Sequence, residues 1–141
     1  MATLPAHGHR RPLHPLHAIF LAFPLPLFLG ALLSDLAYSA TFEVQWSNFA
    51  SWLIAGGLLV GAFALLWALI GVARGARAGS PMIYFVTLLV MWVLGFINAL
   101  VHAKDAMATM PTGLYLSMIV TLLALVAAWI GYAGFRVQEV K

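Results

Sequence analysis

The sequence predicts an all-α integral membrane protein, a four-helix up-down-up-down bundle with both termini in the cytoplasm. Three observations predict it. Of 141 residues, 64% are hydrophobic and 8% are charged, against about 25% charged in soluble domains. Four apolar runs each approach the ~20 residues that an α-helix needs to cross ~30 Å of hydrocarbon. The basic residues gather at the ends of those runs, nearly all on one side. A water-soluble fold of this length keeps much of its surface wet and has nowhere to put so much apolar area. The formal charge of +3 does not mark nucleic-acid binding, because headgroups and topology account for basic residues in such places. The chain has no cysteine, which excludes disulfides, thiolate-held zinc and Cys-ligated iron–sulfur clusters.

In chain order, residues 1–16 form a cytoplasmic segment. Residues 17–135 form one bundle, with spans at about 17–38, 49–72, 82–101 and 114–135. Residues 136–141 are a cytoplasmic tail. Backbone polar groups in lipid must be satisfied within the segment, so each run is helical. A β-barrel requires alternating polarity, which these runs lack. The links at 39–48, 73–81 and 102–113 are short, so neighbouring helices are antiparallel.

The first span carries Pro24 and Pro26 near its middle. Each removes a backbone donor and crowds the preceding turn, so a kink is expected there. Ser and Thr hydroxyls or neighbouring helices are expected to take up the freed carbonyls. Either the bend serves packing, or it opens a hinge or cavity. The second span carries Gly57, Gly61, Ala64 and Ala68 on one stripe, and the fourth carries Ala124, Ala128 and Gly131, with Ala127 and Gly134 beside them. Gly30, Ser34, Gly95 and Ala99 are the small residues of the other two spans. Small side chains let helix backbones approach closely in lipid. The stripes are expected to face the bundle interior; the alternative is that one of them forms a homodimer.

Orientation follows from charge. Arg10, Arg11, Arg74, Arg77, Arg136 and Lys141 fall on one side, against Lys104 on the other. The positive-inside rule then places both termini in the cytoplasm. Reading Arg10–Arg11 and the first run as a signal peptide is the alternative. Pro24, Pro26 and Asp35 interrupt that run, and its removal inverts the charge bias. Tyr38, Trp46 and Trp52 are expected at the outer interface, and Trp67 and Tyr132 at the inner one.

An ionisable group within a span is a functional hypothesis. Asp35 lies ~27 Å along the helix from His17, near the outer boundary. The third span ends at the same depth with Asn98 and His102, followed by Lys104 and Asp105. Ser117 and Thr121 lie in the first turns of the fourth. These seven residues are expected to form one outer polar layer. It is either a satisfied structural network, with Asp35 paired to His102 or Lys104, or a ligand- or proton-handling site with His102 as its switch.

His14 and His17 are three apart and join His7 and His9 as candidate metal or haem-edge residues. His17 and His102 lie at opposite membrane faces and cannot be trans ligands of one haem. His102 with Met107 and Met110 is a candidate soft copper site. Nothing reads as a catalytic centre: there is no phosphate loop, paired-carboxylate motif or nucleophile elbow.

Several motifs carry a family resemblance. These are His14–Pro15 followed by His17, Phe23–Pro24, Ser34–Asp35–Leu36, and Gly57 with Gly61. The closest are the run Asn98 to Asp105 (NALVHAKD) and the run Met110 to Ser117 (MPTGLYLS). The chain resembles the bacterial membrane family called domain of unknown function 2231, whose members show His-Ala-Arg-Asp and Pro-Thr-Gly-Leu-x-Leu-Ser at these places. This chain has Lys104 where arginine is usual. The resemblance implies a four-helix inner-membrane module. Because some members are joined to Rieske-type or cytochrome domains, it also implies a redox setting.

Three functions are compatible with these observations. One is a non-catalytic accessory or scaffold subunit of a membrane redox assembly in the bacterial inner membrane. Another is a quinone or b-type haem binder using the outer polar layer. The third is a small dimeric transporter. The expected surroundings are the lipid bilayer and either membrane redox partners or a second copy.

Overall fold

A computed structural model describes residues 13–74 and 80–133. It contains the helices α1 (Pro15–Ala22), α2 (Pro24–Thr41), α3 (Val44–Ala73), α4 (Ser80–His102), α5 (Ala106–Thr109) and α6 (Thr112–Ala133). Four spans are long and apolar enough to cross a membrane: Pro15–Thr41, Val44–Ala73, Pro81–His102 and Thr112–Ala133. Among the described residues there is no β-strand. The fold is an all-α membrane bundle. Arg10, Arg11, Arg77, Arg136, Lys141, His7, His9 and Gly134 lie outside the described residues.

The first span runs from Pro15 to Thr41 and is divided at Phe23, which itself keeps right-handed helical angles (φ −82°, ψ −37°). Proline nitrogens cannot donate to the carbonyls four residues earlier, and the helix is interrupted at Phe23. Proline is tolerated at the first helical position, so both α1 and α2 start on one, Pro15 and Pro24. The single hydroxyl proton of Thr121 lies within reach of two carbonyls, that of Ser117 at 2.7 Å in its own helix and that of Phe28 at 3.1 Å in α2.

A two-residue link, Phe42–Glu43, joins α2 to α3. Phe42 is left-handed (φ 57°), and its N–H caps the Tyr38 carbonyl at 2.8 Å. This is the reversal that ends many helices. α3 starts at Val44, five residues before the expected start of the second span. At ~1.5 Å per residue its 30 residues reach ~45 Å, beyond the ~30 Å hydrocarbon layer. Its polar first turns, with Gln45, Ser47 and Asn48, thus extend into the headgroup zone.

The long helices pack in cyclic order: α2 on α3, α3 on α4, α4 on α6, and α6 back on α2. The interior holds Leu21, Phe28, Ile54, Leu88, Met91 and Val120 with a set of alanines. Gly57, Gly61, Ala64, Ala124, Ala128 and Gly131 are all buried. Gly57 is where a close approach demands glycine, since a Cβ there falls 2.9 Å from the Phe28 ring. Outside this core the helices expose a continuous apolar surface, including Leu33, Leu59, Leu122 and Trp129, as a lipid-facing bundle does.

Two of the aromatic residues expected at the interfaces also have partners inside the bundle. Tyr38 is buried, and its hydroxyl donates to Met107 Sδ at 3.8 Å. Trp67 is half-buried, with the His17 ring stacked on it.

Candidate functional site

The polar centre lies at the end of the bundle where α2 and α4 finish and α6 begins. Asp35 comes from the second half of α2, Asn98 and His102 from the last turns of α4, and Ser117 and Thr121 from the first turns of α6. The i, i+4 spacings of Asn98 with His102 and of Ser117 with Thr121 put each pair on one helix face. Both faces turn inward, and all five side chains are buried.

Each bond follows from donor and acceptor chemistry. Asp35 Oδ1 lies 2.8 Å from His102 Nε2. Ser117 Oγ donates to Asp35 Oδ2 at 2.5 Å. Asn98 Nδ2 donates to Ser117 Oγ at 2.8 Å. His102 Nδ1 lies 3.0 Å from the Asn98 carbonyl oxygen. A carbonyl oxygen only accepts, so Nδ1 carries a proton. The remaining contact, Nε2 with Oδ1, shares one proton, which sits on either atom. Both arrangements leave the pair with no net charge. That neutrality is how a carboxylate with no exposed surface avoids the cost of an isolated charge in a medium of low dielectric.

The centre is roofed by the α4–α6 connection. Asp105 caps α5 by accepting from the Met107 backbone N–H at 3.3 Å. Thr109 is fully buried. A Cβ at Gly113 would fall 2.7 Å from Thr109 Cγ2 and 2.8 Å from His102 Cε1. The glycine of the Pro-Thr-Gly motif therefore allows α6 to start against the histidine ring.

Of the seven residues expected in the outer polar layer, five meet and two do not. Lys104 and Asp105 are exposed, and the partner of Asp35 is His102, not Lys104. Lys104 and Asp105 lie past the end of α4, in the link to α5, whereas the other five sit on inward faces of α2, α4 and α6. Neither ring nitrogen of His102 is left to bind a metal or a haem iron while its two bonds stand. The copper grouping with Met107 and Met110 is thereby disfavoured, and the Met107 sulfur instead accepts from Tyr38. Among the described residues no three His, Cys, Asp or Glu side chains form a group suited to a metal ion. One atom of the centre lacks a partner: Asn98 Oδ1 is buried and unbonded.

His14 and His17 sit at the opposite end. His14 precedes α1, and its Nδ1 accepts from the Leu16 N–H at 3.3 Å. His17 is buried, with Nε2 2.9 Å from the Tyr84 hydroxyl. Both rings lie against Trp67, with centroids at 5.0 and 5.6 Å. The Tyr84 contact was missed from sequence, although a signal existed: Tyr84 lies near the start of its span as His17 does of the first.

The family described as "Predicted membrane protein (DUF2231)" matches residues 13–137, nearly the whole chain. The chain belongs to this family. No curated protein and no solved structure matches it. The DUF2231 match spans both ends of the bundle, the Asp35–His102 centre and the His17–Tyr84 pair alike.

Proposed function

We propose that this DUF2231 chain is a non-catalytic accessory subunit of a membrane redox assembly in the bacterial inner membrane, with both termini cytoplasmic. One observation carries the reading: the ionisable groups of the candidate site are spent on each other. Asp35, His102 and Ser117 bond in a closed chain, and Asn98 joins it from α4. A network so placed ties α2, α4 and α6 together and leaves no nucleophile, base or metal ligand facing an opening. Interhelical bonds of this kind hold membrane bundles in one arrangement. The redox setting is the one implied by the family resemblance. The orientation is supported by charge, since Arg74 lies at one end of α3 and Glu43 at the other.

The test is mild-detergent isolation of the tagged full chain, followed by visible spectra of the separated chain, oxidised and reduced. The proposal expects a redox protein to co-isolate in fixed ratio and a flat spectrum from the separated chain. Recovery of the lone polypeptide, or a sharp reduced-minus-oxidised band from it, contradicts the proposal.

Asn98 Oδ1 favours a second reading, a small-molecule binder. A buried acceptor without a donor is rare and calls for an occupant. A quinol hydroxyl has the matching chemistry. Quinone recovered in an organic extract of the wild type, and lost from Asn98→Leu, supports this reading. An extract without quinone removes it.

A further inference from the structure

We infer that the His17 end of the bundle carries a binding site for one anionic phospholipid, built on the last two turns of α3. Trp67, Ile70, Gly71 and Arg74 line a cleft of about 240 Å³. Their spacing of i, i+3, i+4 and i+7 is a single helix face. Gly71 makes the notch in that face. A Cβ there would meet nothing within 4 Å, whereas Gly57, Gly61 and Gly95 each have a packed neighbour. Among the described residues, then, nothing fills the notch at Gly71, which leaves room for an occupant.

Charge states what that occupant is. The described cationic side chains are Arg74 and Lys104, and the described carboxylates are Asp35, Glu43 and Asp105. All three carboxylates belong to the His102 end, and Glu43 is separated from Arg74 by the full length of α3. Among the described residues the one ion pair is Asp35–His102, so Arg74 has no carboxylate partner. A guanidinium with no carboxylate partner among the described residues, at the mouth of an apolar cleft where a membrane-spanning helix ends, matches a lipid phosphate above an acyl chain. His14 lies next to the cleft, its ring on Trp67 at the cleft wall. Its Nδ1 accepts from the Leu16 N–H. Trp67 supplies the amphipathic surface that prefers headgroup depth.

The test is native mass spectrometry of the full chain released from detergent. It is titrated with phosphatidylglycerol, with phosphatidylcholine, and with inorganic phosphate as competitor. The wild type is expected to retain one phosphatidylglycerol in preference to phosphatidylcholine, with no displacement by phosphate. Arg74→Gln removes the charge and Gly71→Leu fills the notch while keeping the charge. Each is expected to weaken retention about ten-fold, the size of one charge-assisted bond. Lys104→Gln removes the other described cation and is expected to change nothing. Circular dichroism of each variant establishes that the helices are intact. The inference is overturned by unchanged retention in Arg74→Gln or Gly71→Leu, or by an equal loss in Lys104→Gln, which marks charge alone. Equal retention of phosphatidylcholine, or displacement by phosphate, which marks a free-anion site, overturns it as well.

Discussion

Replacing Asp35 separates a closed polar network from an incidental contact, and the size of the effect can be worked from its bonds. Leucine at 35 removes the partner of His102 Nε2 and of Ser117 Oγ. Each buried polar group left unbonded costs about 1–3 kcal/mol, and breaking a buried pair by removing one member costs about 3–5 kcal/mol. Interhelical bonds in membranes average only ~0.6 kcal/mol, which pulls the expectation for Asp35→Leu to about 3 kcal/mol. Asp35→Asn is different, because the amide oxygen accepts from Ser117 and the amide N–H donates to Nε2 of a neutral His102. Both bonds survive without charge assistance, and the loss is about 1 kcal/mol. The double variant Asp35→Leu/His102→Leu removes both members together, so it costs less than the sum of the single variants by about 1–3 kcal/mol. The assay is reversible unfolding of the full chain in mixed micelles by sodium dodecyl sulfate, followed by circular dichroism. Equal losses in Asp35→Asn and Asp35→Leu, or strict additivity in the cycle, refute the reasoning.

Further outcomes follow from the packing. Gly57→Ala puts a methyl 2.9 Å from the Phe28 ring while Gly61→Ala meets Met91 Cε at 3.5 Å, so the first destabilises by about 1–3 kcal/mol and the second is near neutral. The same unfolding assay checks the pair, and reversed ranking contradicts the packing argument. Gly113→Ala drives a methyl into Thr109 and His102 and is expected to cost a similar ~1–3 kcal/mol; a stabilised variant contradicts the roof over the polar centre. Reporters fused before Met1 and after Lys141 are both expected in the cytoplasm, and an external signal from either contradicts the orientation.

Much of the fold was legible because hydrocarbon imposes one solution on an apolar run. The spans were readable from length and apolarity, but their ends were not. The second span was expected from Phe49, because Gln45, Ser47 and Asn48 look like a link, yet the helix runs on through them from Val44. The interruption at Phe23 was readable only as a kink, since two prolines fix missing donors but not whether the helix resumes in line. The short α5 has four residues, too few for any periodicity. For the polar centre, counting residues from the helix ends puts Asp35, Asn98, His102 and Ser117 at one depth. It does the same for Lys104 and Asp105, which fall in the exposed link beyond the end of α4. Tyr38 and Trp67 illustrate the limit of aromatic-belt reasoning. Depth suits an interfacial anchor, but the partners, Met107 for one and the two histidine rings for the other, come from parts of the chain far from each in sequence.

A closed polar centre requires the proton shared between Asp35 and His102 to be sealed from water and ligands. Nitrogen-15 magnetic resonance of the histidine-labelled full chain in lipid nanodiscs, with His102→Gln for assignment, reads it directly. The expected spectrum shows a protonated Nδ1 on His102, a strong hydrogen bond at Nε2 that disappears in Asp35→Leu, and no change on adding copper, haem or quinone. A His102 ring exchanging rapidly with water, or moved by any of those additions, contradicts it.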